Sequence, residues 1–302
     1  MWGFKLEVEK SLRTKKFWLT LVLILLVYAM AFREVRDNIE GATNPQELLA
    51  MSLMDYIAAS AFLFIGLYAL IAGATAVNSD LENGTVRIAL SKPLRRTSYL
   101  LGKFLGGGSS IVVAMVLATL MSFVVTKYYG LSLTASLVED LTLTNLLILL
   151  AMLQLLALGL LLSTFVRSSN TALGLALVIF LVTGIVAPQI VDGMAKDKVN
   201  SEFGVQKPGL TPQERAAYQE RLAEVKKEYH LKYLFYVPQV LMLDVFDDVE
   251  KITFNDDGTY TLKYLGVKHA IGENLAQTAL IVGLIPIYLG ISVFRFGKMD
   301  LR

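Results

Sequence analysis

Six long runs free of Asp, Glu, Lys and Arg dominate the pattern of this chain: Phe17–Phe32, Tyr56–Ser79, Phe104–Thr126, Leu141–Val166, Ser168–Val191 and Asn274–Phe294. At about 1.5 Å per residue, the five longer runs reach or exceed a hydrocarbon core of about 30 Å and predict membrane-spanning helices. Phe17–Phe32 is shorter, but its flanking Lys15, Lys16 and Arg33 can snorkel and extend it. A cleavable leader is the rival reading of that run, with Leu19–Val27 as apolar core and Ala29-Met30-Ala31 as cleavage site. Glu7 and Glu9 make the preceding segment too mixed in charge for a leader, so the run is expected to be retained as the first span.

Between the fifth and sixth runs, residues 192–273 are too long for a simple connector, and their internal signals predict a small folded cap. Thr211-Pro212-Gln213-Glu214 is a helix start, with a threonine cap, proline at the first helical position and glutamate three residues after the cap. Helix formers continue through Ala216–Tyr233. Lys251–Phe254 and Thr259–Tyr264 alternate around Asn255-Asp256-Asp257-Gly258 and predict a β-hairpin. Leu234–Phe246 is apolar with Pro238 inside it, too short to span, and is expected to dip into the outer membrane interface.

Composition agrees with the pattern. Hydrophobic residues make up 55% and charged residues 18% of the 302, with a mean hydropathy of +0.55, which excludes an ordinary soluble enzyme. A net charge of +2 gives no ground for a nucleic-acid partner. Without cysteine, disulfides, thiolate metal sites and a cysteine nucleophile are ruled out, and His230 and His269 are the sole imidazoles. Basic residues concentrate at the N-terminus, after the second run, at Arg167 and at the C-terminus, whereas the short opposite loops hold Arg33, Arg36 and Lys127. The positive-inside rule then places both termini in the cytoplasm of a plasma-membrane protein. The expected fold is an all-α polytopic membrane protein: six transmembrane helices with a small α+β extracytoplasmic cap between helices five and six. Its parts are a cytoplasmic elbow at 1–16, spans one to five over 17–191, the cap at 192–273, the sixth span at 274–294 and a cytoplasmic tail at 295–302.

The loop between the second and third runs, residues 79–103, carries the functional reading. Ser79 with Glu82 has the spacing of a capping box, Pro93 ends any helix begun there, and Thr97 can cap the next. Gly84 permits close backbone approach, and Arg87 and Arg96 can pair with carboxylates of a partner. A basic anchor facing the cytoplasm would explain the same charges without any partner. The positions Glu82, Gly84-Thr85, Pro93, Arg96 and Gly102-Lys103 resemble the signature of the ABC-2 type permeases, the membrane subunits of ATP-binding-cassette exporters. The basic elbow from Glu9 to Lys16, the six spans and the short tail from Phe294 to Leu301 are similar to that family too.

The resemblance implies a coupling helix docked on a separate cytoplasmic ATPase subunit, a second permease subunit as homo- or heterodimer partner, and export driven by ATP. Glu82, Gly84, Thr85, Arg87, Pro93 and Arg96 become the candidate coupling residues. No cofactor is expected on this chain, ATP and magnesium belonging to the partner, and no catalytic or metal site is expected here. The chain has no G-x-x-x-x-G-K-[ST] loop: Gly106-Gly107-Gly108-Ser109-Ser110 lacks the lysine and lies within the third run, where with Gly102 it reads as a packing surface and possible kink. Pro286 is expected to kink the last span.

The alternative reading is an ion-coupled secondary transporter. Such proteins usually carry ionisable residues near the bilayer centre, and the six runs contain none. An intramembrane enzyme lacks its histidine, and Asp247, Asp248, Asp256 and Asp257 do not complete a calcium loop. Uncharged polar residues within the runs, Ser60, Tyr68, Gln154, Asn170, Thr183 and Gln189, either line a substrate pathway or bond across helices.

Overall fold

The computed structural model describes residues 66–86, 95–128, 132–204, 212–254 and 260–299, with scattered helical positions between 9 and 30. Its elements are α1 (Leu67–Ala76), α2 (Asn78–Glu82), α3 (Arg96–Tyr128), α4 (Ala135–Ser163), α5 (Ser169–Leu181), a π-helical turn (Val182–Val186), α6 (Ala187–Phe203), α7 (Pro212–Tyr233), α8 (Pro238–Phe246), β1 (Glu250–Phe254), β2 (Tyr260–Tyr264), α9 (Val267–Glu273) and α10 (Leu275–Gly297). Among the described residues four helices are long and apolar enough to cross a membrane: α3, α4, the continuous Ser169–Phe203 helix and α10. The first two expected spans fall partly outside the described residues.

α4 is the hub, packed against α1, α3, α8 and α10. Thr134 starts it by accepting a hydrogen bond from the Leu137 amide at 3.3 Å, the ordinary action of a threonine cap. Gly107 and Gly108 of α3 bring that helix against Leu156 and Leu153 of α4, whereas Gly102 faces open space. In the first run, Phe17, Leu21, Ile24 and Tyr28 are buried while Trp18, Val22, Leu26 and Met30 are exposed. That spacing is one helical stripe. Tyr28 closes the stripe with a hydrogen bond from its hydroxyl to Asn145 Oδ1 on α4.

The fifth run does not stop where its apolar character stops. The helix continues unbroken from Ser169 to Phe203, about 52 Å at 1.5 Å per residue, and ends at Gly204 in the left-handed conformation. Pro188 lacks the N–H that would reach the Gly184 carbonyl and crowds that carbonyl, and the π turn Val182–Val186 lies directly before it. Beyond residue 191, Ala195 and Val199 of α6 pack on Leu222 and Val225 of α7. Arg221–Glu202 and Lys226–Asp192 ion pairs flank this contact.

The hairpin forms as its alternation requires: β1 and β2 pair antiparallel, with Glu250 opposite Tyr264 and Phe254 opposite Tyr260. α7 begins at Pro212 as expected. Within Leu234–Phe246, Pro238 opens a helix. This helix, α8, is about 14 Å long, and all but Leu243 of its nine residues are buried, against α4 and α10. It is a wedge among the other helices, with Val240, Leu241, Met242, Val245 and Phe246 all buried.

Candidate functional site

Of the candidate coupling residues, Glu82, Gly84, Thr85 and Arg96 are described, and the ties of Glu82 and Arg96 reach the start of α5 and the end of α10. α2 follows α1 with only Val77 between them, still in right-handed helical conformation, so Ser79 starts no helix and the expected capping box does not form. Glu82 turns elsewhere: its Oε1 accepts the backbone N–H of Ser169 at 2.8 Å, at the first residue of α5. A carboxylate there satisfies an orphan amide and meets the positive end of the helix dipole.

Arg96 behaves in mirror fashion. Its NH1 donates to the carbonyls of Gly297 and Met299 at 3.0 and 3.1 Å, at the C-terminus of α10. The guanidinium thus satisfies terminal carbonyls at the negative end of that helix. This tie is internal to the chain and joins the start of α3 to the end of α10. Thr97 also differs from expectation, since α3 begins at Arg96 and Thr97 lies in its first turn.

Gly84 terminates α2 with φ +69° and donates its N–H to Leu81 O at 3.1 Å. A Cβ there would meet nothing within 4 Å, so the residue is glycine for its left-handed backbone and not for a close approach. Thr85 is half-buried beside it. Arg87, Pro93 and Ser60 lie outside the described residues, as do most of the elbow and the Asn255–Gly258 turn with Asp256 and Asp257.

Below this surface lies a cluster that sequence reasoning had not assembled. Val77, Val86, Tyr99, Leu100, Leu160 and Phe296 form a buried apolar group. At its edge Lys103 Nζ meets Asp80 Oδ2 at 2.5 Å, both side chains 7% exposed, and the Tyr99 hydroxyl donates to the same carboxylate at 2.8 Å. The helical repeat of Tyr99 and Lys103 on α3 was readable; their partner Asp80 was not, because nothing local ties it to α3.

The described pathway candidates lie on α1, α4 and the Ser169–Phe203 helix. Gln154 is buried in α4 and donates to the Tyr236 carbonyl at 3.3 Å, just before α8. Tyr68 is half-buried on α1. Thr183 donates to Ile179 O at 2.7 Å within its own helix, while Asn170 and Gln189 are exposed far apart on the same helix. The Gln154 bond ties α4 to the turn that leads into α8.

A second polar centre lies where α6, α7 and α8 meet. His230 bridges Asp192 at 2.9 Å through Nε2 and Asp244 at 2.7 Å through Nδ1. The adjoining cleft, about 370 Å³, is lined by Lys226, Lys227 and Asp247 among others. Burial opposes a charged His230, yet its bonds to Asp244 and Asp192 outweigh that and raise its pKa above the usual value. Loss of surrounding water, then the Asp244 charge, pushes the Asp247 carboxyl up to about 6. No grouping of three His, Asp or Glu side chains fit for a metal ion occurs among the described residues.

The family description "ABC-2 family transporter protein" matches residues 1–301 of this chain. Among curated proteins none matches it.

Proposed function

From the membership of this chain in the ABC-2 family of transporter proteins, we propose that it is the permease subunit of an exporter powered by ATP hydrolysis on separate cytoplasmic subunits. It works as a dimer in the plasma membrane, with both termini and the 79–103 segment on the cytoplasmic side. The observation that carries this reading is the pair of ties made by Glu82 and Arg96. One end of the segment is bonded to the start of α5 and the other to the end of α10. A soluble partner pressing on the loop between them moves two membrane helices at once.

The chain's own part in the mechanism is mechanical. Glu82 and Arg96 use helix-end charge to hold the loop, and Gly84 sets its turn. ATP, with magnesium, supplies the work on the partner, whose closure shifts α5 and α10 and alternates access to the pathway. The exposed apolar flank of α5, including Leu177, Val178 and Leu181, supports contact with lipid and a second permease subunit.

The test is co-purification with a candidate ATP-binding-cassette subunit, followed by Glu82→Ala and Arg96→Ala. Wild type should assemble and stimulate ATP hydrolysis, and both variants should lose stimulation. Full assembly and wild-type stimulation in both would refute the role of these residues. Transport that persists without ATP and stops when ion gradients are collapsed would favour the ion-coupled alternative.

A further inference from the structure

Glu82 and Arg96 hold the coupling loop from its exposed side, through bonds open to water. Such bonds are weak, and alone they make a compliant linkage. Behind them, Asp80 is in a different situation. It lies on α2, the last turn of chain before the loop, and its carboxylate is enclosed by Lys103 and Tyr99 of α3. Lys103 Nζ also stands 5.6 Å from the centre of the Tyr99 ring. That ring stacks on Phe296 of α10, with centroids 5.6 Å apart and planes 17° from parallel. Four side chains therefore connect the root of the coupling loop to α3 and then to α10, with Leu100 and Leu160 packed around them.

A buried ion pair is weak evidence for stability, since apolar side chains of similar size often serve a core as well or better. What it does supply is register. A carboxylate out of water has one acceptable position here, at the ammonium and the phenol, and sliding α2 along α3 would strip it of both. An apolar contact of the same size tolerates such sliding.

We propose that Asp80 and Lys103 are positioning residues, forming a rigid joint that transmits displacement of the coupling loop into α3 and, through Tyr99 and Phe296, into α10. This rests on the permease reading above. The joint keeps its geometry through the ATP cycle, so α2 and the start of α3 move as one body.

The absence of cysteine makes the test clean. Spin labels are placed at Asn83→Cys and Leu101→Cys, both exposed and on opposite sides of the joint. The complex with the ATPase subunit is measured with and without vanadate trapping. The expected result is an unchanged label distance in the wild-type joint. A distance that shifts on trapping overturns the proposal. In parallel, Asp80→Asn and the apolar pair Asp80→Leu with Lys103→Met are assayed for assembly and for permease-stimulated ATP hydrolysis. Both should assemble yet lose stimulation by about fivefold or more, the lower range of coupling between two sites. Since single removal of one ion can unfold a protein, the apolar pair decides the matter if Asp80→Asn is not recovered. An assembled apolar pair with wild-type stimulation overturns the joint while leaving the permease reading intact. Failure of the wild-type chain to bind any such ATPase would instead overturn the permease reading.

Discussion

α1 crosses α4 with no side chain between them at one point, which sets up a sharp prediction. A Cβ added at Gly73 would lie 2.3 Å from the Leu156 carbonyl oxygen and 2.8 Å from the Leu160 nitrogen. A Cβ at Gly159 would lie 2.2 Å from the Leu70 carbonyl oxygen and 2.8 Å from the Ala74 nitrogen. These are backbone atoms, so no rotamer change relieves the clash and the helices must separate by about 1 Å. Overpacking of this sort costs about 1–3 kcal/mol and sometimes more. A gap of 0.5–1 Å also forfeits about a quarter to a half of each dispersion contact along the crossing. We expect Gly73→Ala and Gly159→Ala each to destabilise by about 3 kcal/mol, at the upper end of that range. Because both act on one crossing, the double variant should cost less than the sum. The assay is denaturant unfolding in detergent micelles, with Gly102→Ala as control, since that Cβ meets nothing within 4 Å. The control should be neutral or stabilised by up to about 1 kcal/mol through helix propensity. A Gly73→Ala variant within about 0.5 kcal/mol of the control would refute the close crossing, as would simple additivity of the pair.

Further predictions concern the segment after residue 191. His230 has a raised folded pKa, so its contribution is fully present below the unfolded value near 6.5 and is lost as pH rises through the folded one. Asp247, with its carboxyl pushed up to about 6, acts in the same sense: the folded form holds its proton, and stability falls as pH rises from about 4 through 6. Hydrogen exchange of α7 should therefore speed up from pH 5 to pH 8 beyond its intrinsic pH dependence, and Asp247→Asn should remove part of that change. A corrected rate independent of pH would contradict both assignments. Asp140 accepts from the Tyr264 hydroxyl at 2.6 Å and from the Val267 amide at 3.0 Å, docking the hairpin and α9 on α4. Asp140→Ala should cost about 1–3 kcal/mol and expose the hairpin to protease before the rest of the chain unfolds. Unchanged cleavage would show that the docking rests on other contacts.

What was legible in the sequence follows the range of the forces involved. The start of α7 at Pro212 and the β1–β2 pairing are written in neighbouring residues, and both appear where the cap and turn chemistry puts them. The end of the fifth run at Val191 marks a change of polarity along the chain; it does not mark a helix end, since the helix runs on to Gly204. α8 was ambiguous because an apolar run with an internal proline suits a membrane surface or a protein interior equally well. It is buried against α4 and α10, elements distant along the chain and unreadable from its own residues. At the candidate site the motif positions were legible and their bonds were not. Glu82 has the local spacing of a cap, but the amide it caps belongs to Ser169, and Arg96 reaches carbonyls at the other end of the chain. The Asp80–Lys103 pair could not be read at all from two charges of opposite sign on either side of a loop.

The account stands or falls on which molecule meets the turn at Gly84. Asn83→Cys, in a chain that otherwise offers no thiol, can be fitted with a short photo-cross-linker in membranes containing the ATPase subunit. Lys268→Cys, at the start of α9 near Asp140, serves as the comparison. The account predicts a cross-link to the ATPase from Asn83 and none from Lys268; a cross-link from Lys268, or an Asn83 thiol that reacts with membrane-impermeant reagent from outside intact cells, would contradict it.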